Sequence, residues 1–456
     1  MSRFSFPHPL TLLVACIAAA VTLTWLLPAG QYDRTQDPAT GRNVVVPGTY
    51  HEVEAQPVGP FAAAVAVPRG LIDAADVVFL VFLVGGAFYV IDRTGALRSG
   101  LDSLARVLGH REYLVIPICS LLFATGGVLE NMQEEIIALI PMLLLLTRRL
   151  GFDAMTAVAM SLGAAMVGSA FSPMNPFQVG IAQKIAQVPL LSGGLFRVAF
   201  LVPALGIWIA GTMRYAHRHR VAPAAARASA SSQEGTANEV PLSSARASVI
   251  LLMVLGAFTA FVVGLIKLGW GFNEMSAVFF VTGLLAGLVG RLGINGTASA
   301  FAEGFREMAF AALLIGFARA IFVVLEDGRI IDTIVHGLFT PIATMPRSVA
   351  MLGVMSVQSV IHVLVPSVSG QAVLTMPILV PLADLLGVTR QVMVLAYHYG
   401  AGLCDIITPT NGALLAILAA AGVRFDQWLR FALRLWIALM ALGGAAIIAG
   451  MLAGLA

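Results

Sequence analysis

SPMNPF at residues 172–177 and TPTNG at residues 408–412 decide the fold. Each interrupts a long apolar segment, 153–187 in one case and 390–421 in the other. Proline removes a backbone donor and clashes with the preceding helical turn, and asparagine and glycine favour non-helical backbone. Within lipid, unwound backbone survives only when it is buried in protein or lines a watery cavity. Two such breaks therefore point to a site.

Outward from the breaks, the same features recur in register. Pro141, Leu150, Gly151, Ser172, Pro173 and Asn175 match Pro377, Leu386, Gly387, Thr408, Pro409 and Asn411 at one shift of 236 residues. The apolar arms 113–129 and 136–147 flank the polar stretch ENMQEE at 130–135. The arms 348–365 and 371–386 flank PSVSG at 366–370. Neither pair leaves room for an ordinary loop, so each reads as a hairpin that enters the membrane and returns to the same side. Further upstream, Gly95 and Gly328 align at a shift of 233. Each precedes an amphipathic stretch, with Leu97, Leu101, Leu104 and Leu108 in one and Ile330, Ile331, Ile334 and Leu338 in the other. Both stretches suit helices lying in the membrane interface.

Composition agrees with lipid as solvent. The 456 residues are 59% hydrophobic and 11% charged, with a mean hydropathy of +0.90. A soluble domain of this length cannot hide so much apolar surface. A spanning helix needs about 20 apolar residues, and the clear candidates are 10–28, 72–91, 190–213, 247–267, 274–291, 308–325 and 431–454. The first is read as a retained helix rather than a cleaved signal, because apolar segments follow throughout. Residues 29–70 read as an external loop.

The expected fold class is an all-α polytopic membrane protein with inverted repeats, each carrying a re-entrant hairpin and a discontinuous transmembrane helix. The first repeat covers 1–213, with hairpin 113–149 and broken helix 153–187. A flexible linker rich in Ala, Ser and Arg covers 214–246. The second repeat covers 247–456, with hairpin 348–387 and broken helix 390–421. Its one extra helix ahead of the hairpin inverts it relative to the first. Basic residues at 93–111, 148–149, 214–246 and 424–434 set the N-terminus in the cytoplasm. The inner membrane is the expected location.

Candidate site residues follow from the cost of polar groups at membrane depth. The first tip offers Glu130, Asn131, Gln133, Glu134 and Glu135, where Glu134 and Glu135 suit a cation, a transported proton or an amino group. The second offers Ser367, Ser369, Gly370 and Gln371, whose small residues expose N–H groups to an anion. The breaks add Ser172, Asn175, Thr408, Thr410 and Asn411, whose oxygens suit a solute or a sodium ion near Asn175 and Asn411. Arg319 stands inside an apolar segment and suits a solute carboxylate, a tip glutamate or a structural ion pair. His398 and Asp405, seven apart, would share one face of a continuous helix and could relay protons. A packed histidine and a break-capping aspartate explain the same spacing, and His362 reads as structural.

Other chemistries lack their signatures. Cys16, Cys119 and Cys404 lie in apolar stretches without metal-ligand spacing and read as packing residues. The net charge of +3 is spread along the chain, which argues against nucleic acid. GxxxxGK[ST], HExxH and GxSxG do not occur. No enzyme activity and no resident cofactor or metal is expected, apart from sodium or a proton as coupling ion.

HPLTLLVACIAAAVTLTWLLPAGQYDR, NMQEEIIALIP, GSAFSPMNPFQVGIAQ, GFARAIFVVLEDGRIIDTIVHGL, PSVSGQAVLTMPILVPLADLLGV and ITPTNGALLAIL together resemble the YfcC-type family. That family falls in the C4-dicarboxylate anaerobic carrier group of the ion-transporter superfamily. The resemblance spans nearly the whole chain apart from the linker. It implies a scaffold, a moving transport domain and, in many relatives, a homodimer. It also implies a Ser-Asn-Thr type motif at the hairpin tips that helps hold sodium and a carboxylate. Here Glu130-Asn131-Met132 and Ser367-Val368-Ser369 stand in those places, which leaves proton coupling or exchange open beside sodium. The group joins dicarboxylate carriers with carriers of basic amino acids. An amino acid satisfies both the acidic first tip and the anion-attracting second tip, and a C4-dicarboxylate is the alternative. A membrane-embedded enzyme and a passive channel are the readings from other classes.

Overall fold

The computed structural model describes residues 8–36, 43–97, 99–100, 111–130, 132–220, 244–268, 270–455. Among them, nine helices are long and apolar enough to cross a membrane. The chain is an all-α polytopic membrane protein, apart from two small antiparallel ribbons near the N-terminus.

Helix α1 (Pro9–Leu26) leads into ribbon strands β1 (Gly30–Gln31), β2 (Arg34–Gln36), β3 (Asn43–Val45) and β4 (His51–Glu52). Then come α2 (Pro60–Asp73) and α3 (Ala75–Arg93). The expectation of a loop through residue 70 is corrected here. Pro60 sits in the first turn, where its missing N–H costs nothing, and Gly70 lets the helix press against its neighbour. In the second half, α9 (Ser244–Leu268), α10 (Phe272–Val289) and the 35-residue α11 (Gly293–Asp327) are the counterparts. Helix α11 packs along α2 and α3 together. The amphipathic stretch at 97–108 and the linker at 214–246 fall largely outside the described residues. Its counterpart α12 (Ile331–Phe339) is a helix, and α8 (Gly194–Arg218) runs into the start of the linker.

A helix stands on each side of both polar tips. Arms α4 (Val115–Glu130) and α5 (Glu134–Arg149) flank the first, and α13 (Arg347–Leu364) and α14 (Val368–Leu386) the second. Both long segments are discontinuous. Helix α6 (Ala154–Ala170) stops at the first break, and the chain resumes in a π-turn (Pro176–Gly180) and α7 (Ile181–Ile185). Helix α15 (Arg390–Cys404) stops before the second break and α16 (Gly412–Ala420) follows it. The long α17 (Phe425–Leu452) closes the chain.

The contacts are symmetric. The first arm of each hairpin packs on the leading half of its own broken helix, α4 on α6 and α13 on α15. The second arm crosses to the trailing half of the other, α5 on α16 and α14 on α7. In lipid, helices gain little from leaving an apolar solvent, so close backbone approach carries the packing. A Cβ on Gly127 would lie 2.0 Å from the Ala165 carbonyl oxygen, and one on Gly168 would lie 2.3 Å from that of Ala124. Only glycine fits either position. Backbone carbonyls freed by irregular turns find indole donors. Trp208 Nε1 reaches the Ala159 carbonyl at 2.8 Å, where α6 widens into a π-turn, and Trp428 Nε1 reaches that of Ile406 at 2.8 Å.

The ribbons form a strap over one end of the molecule. The Tyr32 N–H donates to Asp332 Oδ2 at 2.9 Å, and Arg34 Nη2 reaches Asp332 Oδ1 at 2.9 Å. Tyr50 stacks on His336 with ring centroids 4.1 Å apart.

Candidate functional site

The first break is held shut by its own polar residues. Ser172 Oγ accepts from the N–H groups of Met174 (3.1 Å) and Asn175 (2.8 Å), and donates to the Val128 carbonyl at 2.7 Å. Asn175 Oδ1 accepts from the Phe177 and Gln178 N–H groups at 3.0 and 3.1 Å, capping the turn beyond. Its Nδ2 donates to the Gly127 carbonyl at 2.9 Å, near the end of α4. At the second break, Asn411 Oδ1 accepts from the Leu414 N–H at 2.9 Å and Thr410 Oγ1 donates to the Val363 carbonyl at 2.6 Å. Each break is thus tied to the inner end of its own hairpin's first arm. Both asparagine carbonyls are engaged as caps. Thr408 lies buried beside Cys404, with Oγ1 and Sγ 3.0 Å apart.

The first tip reaches across to the second break. Gln133 Nε2 donates to Asp405 Oδ2 at 3.0 Å, and Asn411 Nδ2 donates to Asp405 Oδ1 at 2.7 Å and to Gln133 Oε1 at 3.2 Å. Glu135 Oε2 accepts from the Gln133 N–H at 3.1 Å. Asn131 and the side chain of Glu130 lie outside the described residues. The second tip is a helix N-terminus, where Ser367 Oγ accepts from the Gly370 N–H at 3.2 Å. Gln371, one residue further, points inward and meets His362 Nδ1 with Oε1 at 3.0 Å.

These elements border one cavity of about 1120 Å³. Gln133, Glu134, Glu135, Ser367, Ser369, Gly370, Arg319, Asp405, Thr410 and Asn411 all line it. Ser172, Asn175, Gln371 and Thr408 do not; they hold the breaks and the second hairpin from behind.

Two sequence expectations change, both at Asp405. His398 and Asp405 do not pair, because α15 ends at Cys404 and the chain turns before the shared face is completed. Asp405 Oδ1 instead meets His362 Nε2 at 2.8 Å. Asp405 caps no backbone N–H, since its oxygens receive side chains from three elements. Arg319 faces the cavity as part of a loose ion pair with Asp73, 3.7 Å apart, and lies over the Phe322 ring at 4.7 Å. Among the described residues, no tip glutamate pairs with it.

Sequence reasoning missed Arg197. It is fully buried in α8, with Nη1 3.0 Å from His398 Nδ1, while Nε and Nη2 have no hydrogen-bond partner. His398 Nε2 meets Gln178 Oε1 at 2.9 Å, and Gln178 borders the cavity. An arginine near the start of an apolar helix gives no periodic signal, and its histidine stands 201 residues away.

Residues 6–452 match the family described as DcuC, C4-dicarboxylate anaerobic carrier. The chain is similar to "Putative basic amino acid antiporter YfcC" of Escherichia coli (strain K12), with 33% identity over 470 residues, covering 94% of this chain and 93% of that one. It is also similar to an "Uncharacterized protein" of Haemophilus influenzae, with 31% identity over 477 residues and the same two coverages, 94% and 93%. Among solved structures, the YdaH transporter of Alcanivorax borkumensis is similar at 16% identity with a TM-score of 0.45, over 98% of this chain and 99% of that one.

Proposed function

The chain belongs to the C4-dicarboxylate anaerobic carrier family, and from that premise we propose that it carries a small carboxylated solute, with a C4-dicarboxylate as first candidate. At the coarser level it is a multi-pass secondary transporter of a small polar or charged solute, not an enzyme. The family description supports the dicarboxylate better than the amino acid preferred on sequence alone. One observation carries the reading of the site. The first tip, the second break and the first turn of α14 border one cavity, with the tip and the break joined through the Gln133–Asp405–Asn411 contacts.

In this reading the two halves, 1–213 and 247–456, are inverted repeats around the cavity, the hairpins are re-entrant, and the linker 214–246 is cytoplasmic. The N-terminus is cytoplasmic and the membrane is the bacterial inner one. Arg319 and the N-terminal turn of α14 attract the solute carboxylates. Solute movement follows from the hairpins and broken helices shifting against the remaining helices, the usual working of such repeats. Homodimer assembly rests on the superfamily resemblance alone.

An amino acid is the second reading, and the cavity lining favours it. Asp73, Asp76, Glu134, Glu135, Glu326, Asp332 and Asp405 are set against Arg34, Arg319 and Arg329. A basic amino acid offers those carboxylates a cation, as the printed name of the Escherichia coli relative suggests for that protein.

The test is uptake of labelled succinate and labelled lysine by the full chain in proteoliposomes, with and without a sodium gradient. Saturable uptake that unlabelled solute exchanges supports transport, and the preferred label names the class. Linear, non-saturating flux of both would point to a channel, and no flux of either sinks the reading.

A further inference from the structure

We propose that Asp405 and His362 together form a proton-binding site, through which proton movement is coupled to the solute. The coupling rests on the transport reading above; the site itself rests on hydrogen-bond directions.

Those directions are fixed by the backbone. Gln371 Nε2 donates to the Gln358 main-chain carbonyl at 2.7 Å and also meets Gln358 Oε1. A main-chain carbonyl only accepts, so the amide cannot be turned over. Gln371 Oε1 must therefore face His362, and His362 Nδ1 must carry a hydrogen to donate at 3.0 Å. A neutral imidazole with its hydrogen on Nδ1 offers a lone pair at Nε2. That Nε2 lies 2.8 Å from Asp405 Oδ1.

The aspartate side is fixed as well. Asn411 Oδ1 accepts from the Leu414 main-chain N–H, so Asn411 Nδ2 is the group that donates to Asp405 and to Gln133 Oε1. Gln133 then presents Nε2 to Asp405 Oδ2. With two amide donors on the carboxyl group, the short contact to His362 still requires one hydrogen between Nε2 and Oδ1. Whichever atom bears it, the pair holds one proton and no net charge.

Release of that proton to water in the cavity leaves a carboxylate opposite an imidazole lone pair, with net charge −1. The contact then turns from attractive to repulsive. Gln133 still holds Asp405 to the first hairpin, and Thr410 still reaches the Val363 carbonyl of α13, but the direct tie of Asp405 to α13 is lost. Protonation thus decides whether Asp405 is fastened to one hairpin or to both.

The other charged and titratable groups around the pair are accounted for. Glu134 and Glu135 of the first tip line the same cavity, as do Asp73 of α2, Asp76 of α3, Arg319 and Glu326 of α11, Arg34 of β2, Arg329, and Asp332 of α12. On the break itself, Cys404 bonds to the Ser359 carbonyl and to Thr408. Both members of the pair are buried, His362 fully and Asp405 to 3% exposure, while Asp405 touches the cavity and so gives the proton a path.

Two measurements test this on the full chain. First, infrared difference spectra of the purified protein are recorded across a pH titration without solute. Wild type should show one carboxyl–imidazole transition, absent in Asp405→Asn and His362→Gln and kept at a shifted frequency in Asp405→Glu. An identical transition in His362→Gln overturns the site. Second, proteoliposomes containing a pH dye are given succinate, then lysine. Wild type should move protons with the solute, and His362→Gln should lose that flux. An unchanged proton-to-solute ratio in His362→Gln overturns the coupling. A wild type with the infrared transition but no solute flux leaves the proton site standing and sinks the transport reading instead.

Discussion

Asn175 and Asn411 close the two breaks in the same way: each turns its side-chain carbonyl onto the first free N–H groups of the helical segment that follows, at 3.0 and 3.1 Å for Asn175 and 2.9 Å for Asn411. Their Nδ2 groups diverge. Asn175 holds the Gly127 carbonyl of the first hairpin, whereas Asn411 holds Asp405 and Gln133 in the proposed site.

Alanine at either position should cost about 0.5–2 kcal/mol of stability through the lost cap, and should abolish succinate and lysine uptake. Melting temperature in detergent and uptake in proteoliposomes read the two effects separately. Asn411→Asp keeps the capping oxygen but sets a second carboxylate against Asp405, so it should retain most stability and still lose uptake. Full uptake by both alanine variants would remove the breaks from the site.

Gly127→Val should be among the most damaging single changes in the chain. Its side chain would have to enter space held by the Ala165 carbonyl, and overpacking of this kind costs about 1–3 kcal/mol or more. The expected outcome is a large drop in melting temperature and in the folded yield from the membrane. Gly206→Val serves as control, because a Cβ there meets nothing within 4 Å.

The breaks and hairpins were legible because proline, asparagine and glycine act locally, and because one shift brought both halves into register. The pairs across the site were not. His362 and Asp405 are 43 residues apart and Gln133 and Asp405 are 272 apart, so no periodicity links them. The spacing of seven between His398 and Asp405 misled, since it holds only in a continuous helix and α15 stops one residue before Asp405. The helix at Pro60–Asp73 carries two prolines, one tolerated in the first turn and the other sustained by tight packing on α11, so the 29–70 loop reading ran past its start.

Arg319 offers a sign test of the solute class. Losing a charge-assisted bond to a carboxylate costs about 1.5–3 kcal/mol, so Arg319→Gln should weaken succinate binding by about tenfold or more. Asp73→Asn frees the guanidinium from its 3.7 Å partner and should tighten succinate binding. Lysine should respond in the opposite direction to Asp73→Asn, because the cavity loses a carboxylate. Thermal shift in the presence of each solute reports both. If neither variant alters either shift, Arg319 does not meet the solute.

The strap depends on Asp332, which receives both the Tyr32 N–H and the Arg34 guanidinium. Asp332→Ala should speed hydrogen exchange at the Tyr32 amide and along both ribbons, with little change in α15. Burial, then Asp332, then Tyr50 push the Tyr32 phenol up to about 12. Removing Asp332 should therefore let that phenol ionise at a lower pH, which absorbance near 295 nm would follow in wild type against a Tyr32→Phe control. Unchanged exchange would mean that the ribbons hold themselves in place.

Arg197 has an electrical consequence. A guanidinium stays protonated in a protein, and no carboxylate among the described residues pairs with this one. Any step of the working cycle that carries it along the membrane normal moves fixed charge through the transmembrane field, at about 2.3 kcal/mol for a full elementary charge per 100 mV. A transport cycle containing such a step would respond to voltage even when the cargo itself is neutral.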